Sequence, residues 1–382
     1  MSHSGFDTAH RIDPTHTPWL THPNSLISGN HRLNIGWKRF ATRRLFLTVP
    51  GRRGKRPLLH PPHSFHQPAH ALSASRDSSC GASPRDRVPS LASVGSDLWD
   101  RVEHHFADSK GVTIHYAALG KGPLIVMIHG FPDFWYTWRR QMDVLSRNYR
   151  TVAVDQRGYN LSGRPAGVDA YAVSLLVDDI GEVIRAEGCT SAVIVGHDWG
   201  GLVAWYLGMR HAEWARALII LNLPHPGEIQ RELDSNPQQR KNSEYAYELI
   251  KAGAESNLTP ENLAAFVGAD DEAAKAHYIE AFKRSDVVAM LNYYRANFPG
   301  PAQCNPGSRL PPVSKVAVPV LQFHGLADMS VVSGALAGTW DHVEKDFTLV
   351  TIPGAGHVVH RDASDLVTMT MRDWLKQRIH AP

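Results

Sequence analysis

Residues Thr190 to Asn222 read TSAVIVGHDWGGLVAWYLGMRHAEWARALIILN, and this stretch decides the fold. Ala192-Val193-Ile194-Val195 is short, apolar and rich in β-branched side chains, the pattern of a strand buried on both faces. Gly196-His197-Asp198-Trp199-Gly200-Gly201 follows, and then Leu202 to Met209, apolar at helical spacing. A strand, a Gly-x-Asp-x-Gly turn and a helix make a sharp bend for which the flanking glycines leave room. The central side chain then stands out at the carboxyl end of the strand. Here it is a carboxylate, a candidate nucleophile.

Upstream, Val102–Ala107 and Val112–Ala117 alternate around Asp108-Ser109-Lys110-Gly111, which predicts an antiparallel hairpin. Pro123 to Ile128 is a continuous apolar strand that ends in His129-Gly130-Phe131-Pro132. A helix is expected over Trp135–Arg147, a buried strand over Val152–Val154, the loop Asp155 to Ser162, and a helix over Tyr171–Glu187. Downstream, Ala217–Asn222 is a strand, and at Pro224-His225-Pro226-Gly227 the alternation stops. From 227 to about 306 the patterns are helical: Asn242–Ala254, Pro260–Val267, Glu272–Arg284 and Val287–Asn297. Thr259 before Pro260 and Glu261 is a good helix start. Strands resume at Val318–Phe323 and Phe347–Ile352, and a helix over Ala363–Ile379 closes the chain. The class expected is α/β, a mostly parallel sheet with helices on both faces. It divides into a first core part, 96–223, a helical cap, 224–307, and a second core part, 308–382.

The 382 residues carry a mild positive charge that belongs to one end. Residues 1–95 hold 13 Lys and Arg against 4 Asp and Glu, a net of +9, while the rest hold 27 against 33, a net of −6. The folded body therefore carries no basic signature for nucleic acid. The first 95 residues are rich in Pro, His, Ser and Arg without apolar period, and are expected to be a disordered basic extension. Three readings stand for them. One is a targeting segment on Lys38 to Arg44, which lacks an apolar h-region. The second is a basic arm for an anionic surface. The third is upstream sequence read from a mis-assigned start, given that no Met lies between Met1 and Met127. Cys80, Cys189 and Cys304 have neither disulfide nor metal spacing, which fits a reducing compartment, and a cytoplasmic location is expected. No apolar run approaches the ~18 residues of a membrane span.

Two further residues complete a constellation with Asp198. Asp328 lies in His324-Gly325-Leu326-Ala327-Asp328 after one strand, and His357 lies in Pro353-Gly354-Ala355-Gly356-His357 after the last. Nucleophile, acid and His in this order, each beyond a strand's carboxyl end, can converge on one edge of the sheet.

With His129 to Arg139 (HGFPDFWYTWR) and Gly196 to Gly201 (GHDWGG), the chain from about 97 to 382 resembles the α/β-hydrolase fold epoxide hydrolases of the soluble and bacterial kind. The motifs are shared with haloalkane dehalogenases, and the lid separates the two. The resemblance implies two lid tyrosines facing the epoxide oxygen. Asn292-Tyr293-Tyr294-Arg295 places the second on Tyr294, and Ser243-Glu244-Tyr245-Ala246-Tyr247 places the first on Tyr245, with Tyr247 as rival. Residues two apart point about 200° from each other on a helix, so only one of that pair can face the cavity. Trp135, Trp199, Tyr247 and Tyr293 are expected in the pocket wall. Val358 and His360 stand where this family often has Trp and Gln, and Asn160 where Gly is common. Asn tolerates a left-handed backbone, so no loss of fold is expected there.

The residue types suit the chemistry that the resemblance implies. A carboxylate attacking an epoxide carbon gives an ester, which can be cleaved afterwards, whereas a serine would give an inert ether. His357 would take the proton from water for that cleavage, with Asp328 orienting it. The backbone N–H groups of Phe131 and Trp199 are placed for an oxyanion, and the phenols of Tyr245 and Tyr294 can supply the proton that an alkoxide needs. The partners implied are a small-molecule epoxide and water, without cofactor, metal, nucleic acid or membrane span, and the sequence sets no oligomeric state. The alternatives are a haloalkane dehalogenase on the same triad, which would need no proton donor, and a non-catalytic ligand-binding protein on the same fold. Fluoroacetate-type dehalogenation would favour Arg after the nucleophile, where this chain has Trp199.

Overall fold

Asp198, Asp328 and His357 each follow a strand of one sheet, in the computed structural model that describes residues 97–268, 272–298 and 310–379. The stretch 1–95, with the expectations attached to it, lies outside these residues. Among the described residues the sheet has eight strands in the order β1-β2-β4-β3-β5-β6-β7-β8. They are β1 (Glu103–Ser109), β2 (Val112–Leu119), β3 (Leu124–Ile128), β4 (Arg150–Val154), β5 (Ala192–His197), β6 (Ala215–Leu221), β7 (Val320–Gly325) and β8 (Phe347–Ile352). β1 and β2 pair antiparallel, β2 pairs antiparallel with β4, and the rest of the sheet is parallel. The architecture is the α/β-hydrolase fold. The hairpin turn is tighter than its sequence suggests. β1 runs on to Ser109, and only Lys110 and Gly111 bridge the strands, both at positive φ (55° and 86°), as a two-residue turn of primed type demands.

The helices between strands are α1 (Arg139–Leu145), α2 (Val173–Ala186) and α3 (Trp199–Arg210), and after the last strand α10 (Val359–Asp362) and α11 (Ser364–Arg378). α2 packs on α3 and α1 on α11. β3 and β5 are buried at every position, which is why they read as unbroken apolar runs rather than alternating ones. α1 is shorter than expected because Trp135–Trp138 coils as a 3-10 turn before it. Asn160 takes φ 42°, and its side chain donates to Asp155 Oδ2 at 2.7 Å, so the Asn is accommodated as its side chain allows.

Between β6 and β7 the described chain is helical: α4 (Pro226–Ser235), α5 (Pro237–Asn242), α6 (Glu244–Ile250), α7 (Pro260–Val267), α8 (Glu272–Arg284) and α9 (Val287–Asn297). The last three match their sequence patterns. The first two do not, since the sequence shows a helical pattern only from Asn242 onward. Pro226 and Pro237 each sit at the first helical position, behind the caps His225 and Asn236, whose side chains accept from Gly227 and Gln238 N–H. Proline at that position begins a helix rather than breaking one, because its missing N–H would have had no partner there. Among the described residues no helix is long and apolar enough to cross a membrane.

Candidate active site

The bend between β5 and α3 throws one side chain out of the sheet. Asp198 sits at φ 52°, ψ −121°, a conformation that an L-residue holds only when its surroundings impose it. Two glycines make it possible. A Cβ on Gly196 would lie 2.2 Å from the Gly200 carbonyl oxygen, and one on Gly200 would lie 2.1 Å from that of Ile128. The chain crosses itself and β3 too closely for any side chain at either point.

β3 is the neighbour of β5, so the loop after β3 lies beside the carboxylate. The Phe131 N–H donates to Asp198 Oδ1 at 2.8 Å. On the other side His357 Nε2 is 3.4 Å from Asp198 Oδ2, and its Nδ1 is 2.9 Å from Asp328 Oδ2. Asp328 is held by the N–H groups of Ser330 (2.7 Å) and Val331 (3.1 Å) on Oδ1. Asn222 Nδ2 donates to its Oδ2 at 2.9 Å. His197, just before Asp198, donates from Nε2 to the His357 carbonyl at 2.9 Å. The Asp328 side chain is 1% exposed against 22% for His357 and 13% for Asp198, so the acid is sealed while the other two reach the cavity.

The charges follow this arrangement. Burial works against ionising Asp198, but the hydrogen bond and charge of His357 outweigh it, helped by His197 and the Phe131 N–H, and hold its carboxyl below the usual range. Burial opposes ionisation of Asp328 too, yet the charge and hydrogen bond of His357, with Asn222 and the Ser330 N–H, bring it down to about 2. His357 is raised well above its ordinary value. Burial lowers it, and the two carboxylates prevail. His197 is pushed down to about 4, chiefly by burial and then by the charge of His357, so it stays a neutral donor.

Asp198, Trp199 and His357 open into a cavity of about 350 Å³, walled from the opposite side by the inserted helices. Tyr245 and Tyr294 both line it, with their rings 6.4 Å apart. Burial raises the pKa of each. For Tyr245 the charge of Asp198 adds to this, and its hydrogen bonds to Ser330 and Tyr294 oppose it. For Tyr294 the neighbouring Tyr245 and Asp198 add to it, and a hydrogen bond with Trp199 opposes it. Both phenols therefore keep their protons at neutral pH.

Three residues expected in the pocket wall are elsewhere. Trp135 stacks on Trp99 at 5.2 Å, and its backbone N–H donates to Asp155, because the chain coils inward after the β3 loop. Tyr293 points away from its neighbour Tyr294 and donates to the Arg157 carbonyl at 2.9 Å. Tyr247 packs edge-on against Phe298, so of the two candidates on α6 it is Tyr245 that faces the cavity. His360 is buried under the site, stacked on Trp138 with Nε2 2.9 Å from Thr137 Oγ1, and forms no part of the wall. The Trp199 N–H, expected with that of Phe131 as an oxyanion donor, makes no hydrogen bond to the Asp198 carboxylate. As the first helical N–H of α3 it has no partner within the helix, and it lies next to the acid.

Two contributors escape the sequence. Asn222 reads as the last residue of a strand, but at φ 52° it turns its amide onto Asp328 and the Gly356 carbonyl (3.2 Å). Its one signal is an Asn ending an otherwise apolar strand. Gln239 lies in a stretch without pattern. Among the described residues no group of three or more His, Cys, Asp or Glu side chains is placed to hold a metal ion.

Residues 123–363 match the sequence family described as alpha/beta hydrolase fold. The chain is 34% identical over 293 residues to AB hydrolase superfamily protein YfhM of Bacillus subtilis, covering 73% of this chain and all of that protein. It is 30% identical over 290 residues to epoxide hydrolase 3 of Xenopus tropicalis, covering 70% of this chain and 76% of the other. Among solved structures it is similar to an epoxide hydrolase from Bacillus megaterium, with TM-score 0.66 and 31% identity, over 71% of this chain and all of that one.

Proposed function

The chain belongs to the α/β-hydrolase fold family, in its epoxide hydrolase group, and from that premise we propose that it hydrolyses an epoxide to a vicinal diol through an ester on Asp198. One observation carries the reading. The carboxylate at the bend faces His357 on one side and a cavity with two protonated phenols on the other. In this reading residues 224–307 act as a cap that brings the phenols over the core, 96–223 and 308–382.

Asp198 Oδ1 is anchored by the Phe131 N–H, which leaves Oδ2 to attack. Oδ2 forms a bond to an epoxide carbon as that carbon's bond to the ring oxygen breaks, and a phenol of Tyr245 or Tyr294 gives its proton to the opened oxygen. The ester has lost the charge of Asp198, one of the two that held His357 protonated. The imidazole therefore becomes easier to deprotonate once the ester exists. The proton it sheds balances the one the phenols gave up. His357, kept in one tautomer by Asp328, then takes a proton from water, and the hydroxide adds to the Asp198 carbonyl carbon. The negative charge forms on Oδ1, where the Phe131 N–H already donates and the Trp199 N–H is adjacent. One such donor is worth about 3–4 kcal/mol in comparable acyl chemistry. The ester C–O bond breaks, the leaving oxygen takes the proton still on the added hydroxyl to complete the diol, and the water oxygen stays in the restored carboxylate beside protonated His357.

The phenols favour this substrate over a haloalkane, because halide leaves without a proton. The test is one turnover of styrene oxide in ¹⁸O-labelled water, with chloride release from a haloalkane as control. Label should appear in Asp198 and not in the first diol formed. Label in the diol alone would mean direct attack by water and would end the ester mechanism.

A further inference from the structure

Gln239 is 2% exposed, and its side-chain amide is bonded on every side. Nε2 donates to the Ser330 carbonyl at 2.8 Å and to Ser243 Oγ at 2.9 Å, and Oε1 accepts from the Val332 N–H at 2.9 Å. The Ser330 carbonyl and Val332 N–H flank a single residue, so the amide pairs with the backbone around Val331 much as an adjacent strand would. The loop it grips is the one that holds the acid, through the Ser330 and Val331 N–H bonds to Asp328. At its other end the amide reaches Ser243, the N-cap of α6, two residues before Tyr245. Gln239 thus touches the acid loop and the root of the tyrosine helix together, on the wall of the cavity that Asp198, Ser330 and Tyr245 share. Loss of the amide alone would strand the Ser330 carbonyl and the Val332 N–H, so the amide contributes stability through them. It also sets register.

We propose that Gln239 is a positioning residue for ring opening, setting Tyr245 over Asp198 by pinning α6 to the Asp328 loop. The inference rests on the epoxide reading above. Asp328 keeps two anchors outside that loop, Asn222 and His357, and the ester-cleaving groups Asp198, His357 and Phe131 lie in the core. Loss of the Gln239 amide should therefore slow the step that needs the phenol and spare the step that does not.

Single-turnover rapid quench of the full chain with styrene oxide reads both steps, from the mass of the Asp198 peptide. In Gln239→Met we expect ester formation ~10–100-fold slower and ester hydrolysis within about 3-fold of wild type, the scale of an ångström-level misplacement. The defect should shrink with a trifluoromethyl-substituted oxirane, whose opened oxygen is less basic and leans less on the phenol. Ser243→Ala cuts only the link to α6 and should show the same selective slowing even if Gln239→Met fails to fold. Unchanged ring opening, equal slowing of both steps, or slowing of hydrolysis alone overturns the proposal. A wild-type chain that forms no ester overturns the epoxide reading and this inference together.

Discussion

The Nε2 of His357 lies 3.4 Å from Oδ2 of Asp198, close enough for charge to act and long for a hydrogen bond. In the proposed mechanism the imidazolium first keeps the carboxylate ionised, and the imidazole acts as a base only once the ester has formed. His357→Gln is expected to form the ester and stop there, seen as a stable mass increase on the Asp198 peptide. Continued turnover in that variant would show that another base does the work.

Tyr245→Phe and Tyr294→Phe should each slow ring opening ~10²-fold, within the range of general-acid contributions. Tyr247→Phe, whose ring packs on Phe298, should leave the rate nearly unchanged. Stopped-flow quenching of tryptophan fluorescence on substrate addition would separate the three. A larger effect at Tyr247 than at Tyr245 would reverse the assignment.

Asn222→Ala removes the donor to Asp328 and places a Cβ-bearing residue without a compensating polar side chain at φ 52°. Stability is expected to fall by about 1–2 kcal/mol, from the lost donor to buried Asp328 together with a left-handed backbone that Ala tolerates less well than Asn. Ester hydrolysis should slow while ring opening persists, because the misoriented acid acts through His357. Urea unfolding and single-turnover kinetics on one preparation test both halves.

Gly200→Ala is a test of the bend rather than of the chemistry. Its Cβ would meet the Ile128 carbonyl at 2.1 Å, and neither backbone can yield without moving β3. A loss of about 3 kcal/mol or failure to fold is expected, at the high end of overpacking costs. A urea midpoint equal to wild type would mean that the elbow is looser than drawn.

Asp328 also links stability to pH. Its carboxyl is held at about 2 in the fold against an ordinary 3.8. A group depressed in this way contributes its full stability above the unfolded value and loses it as pH falls from about 4 towards 2, roughly 2 kcal/mol in all. The wild-type advantage over Asp328→Asn in urea should therefore shrink between pH 5 and pH 2.5. An advantage independent of pH would place the stabilisation elsewhere.

The hydrophobic runs at Ala192–Val195 and Leu124–Ile128 and the glycines around Asp198 made the sheet, the bend and the triad order legible from residues alone. Buried parallel strands need unbroken apolar stretches, and a backbone crossing at 2.1 Å admits only glycine. Local chemistry of that kind is written in neighbours along the chain. What the tertiary structure decided is which side chains share one space. Helix spacing says only that one of Tyr245 and Tyr247 can face the cavity, and the resemblance favours Tyr245. The packing of α6 on α9 turns Tyr245 to the cavity and Tyr247 to Phe298. Trp135 and Tyr293 looked like pocket residues and belong to the core, while Asn222 and Gln239 looked like nothing and hold the acid and its loop. Their partners lie 106 and 91 positions away, a distance over which the sequence carries no periodicity and only the folded chain brings donor to acceptor.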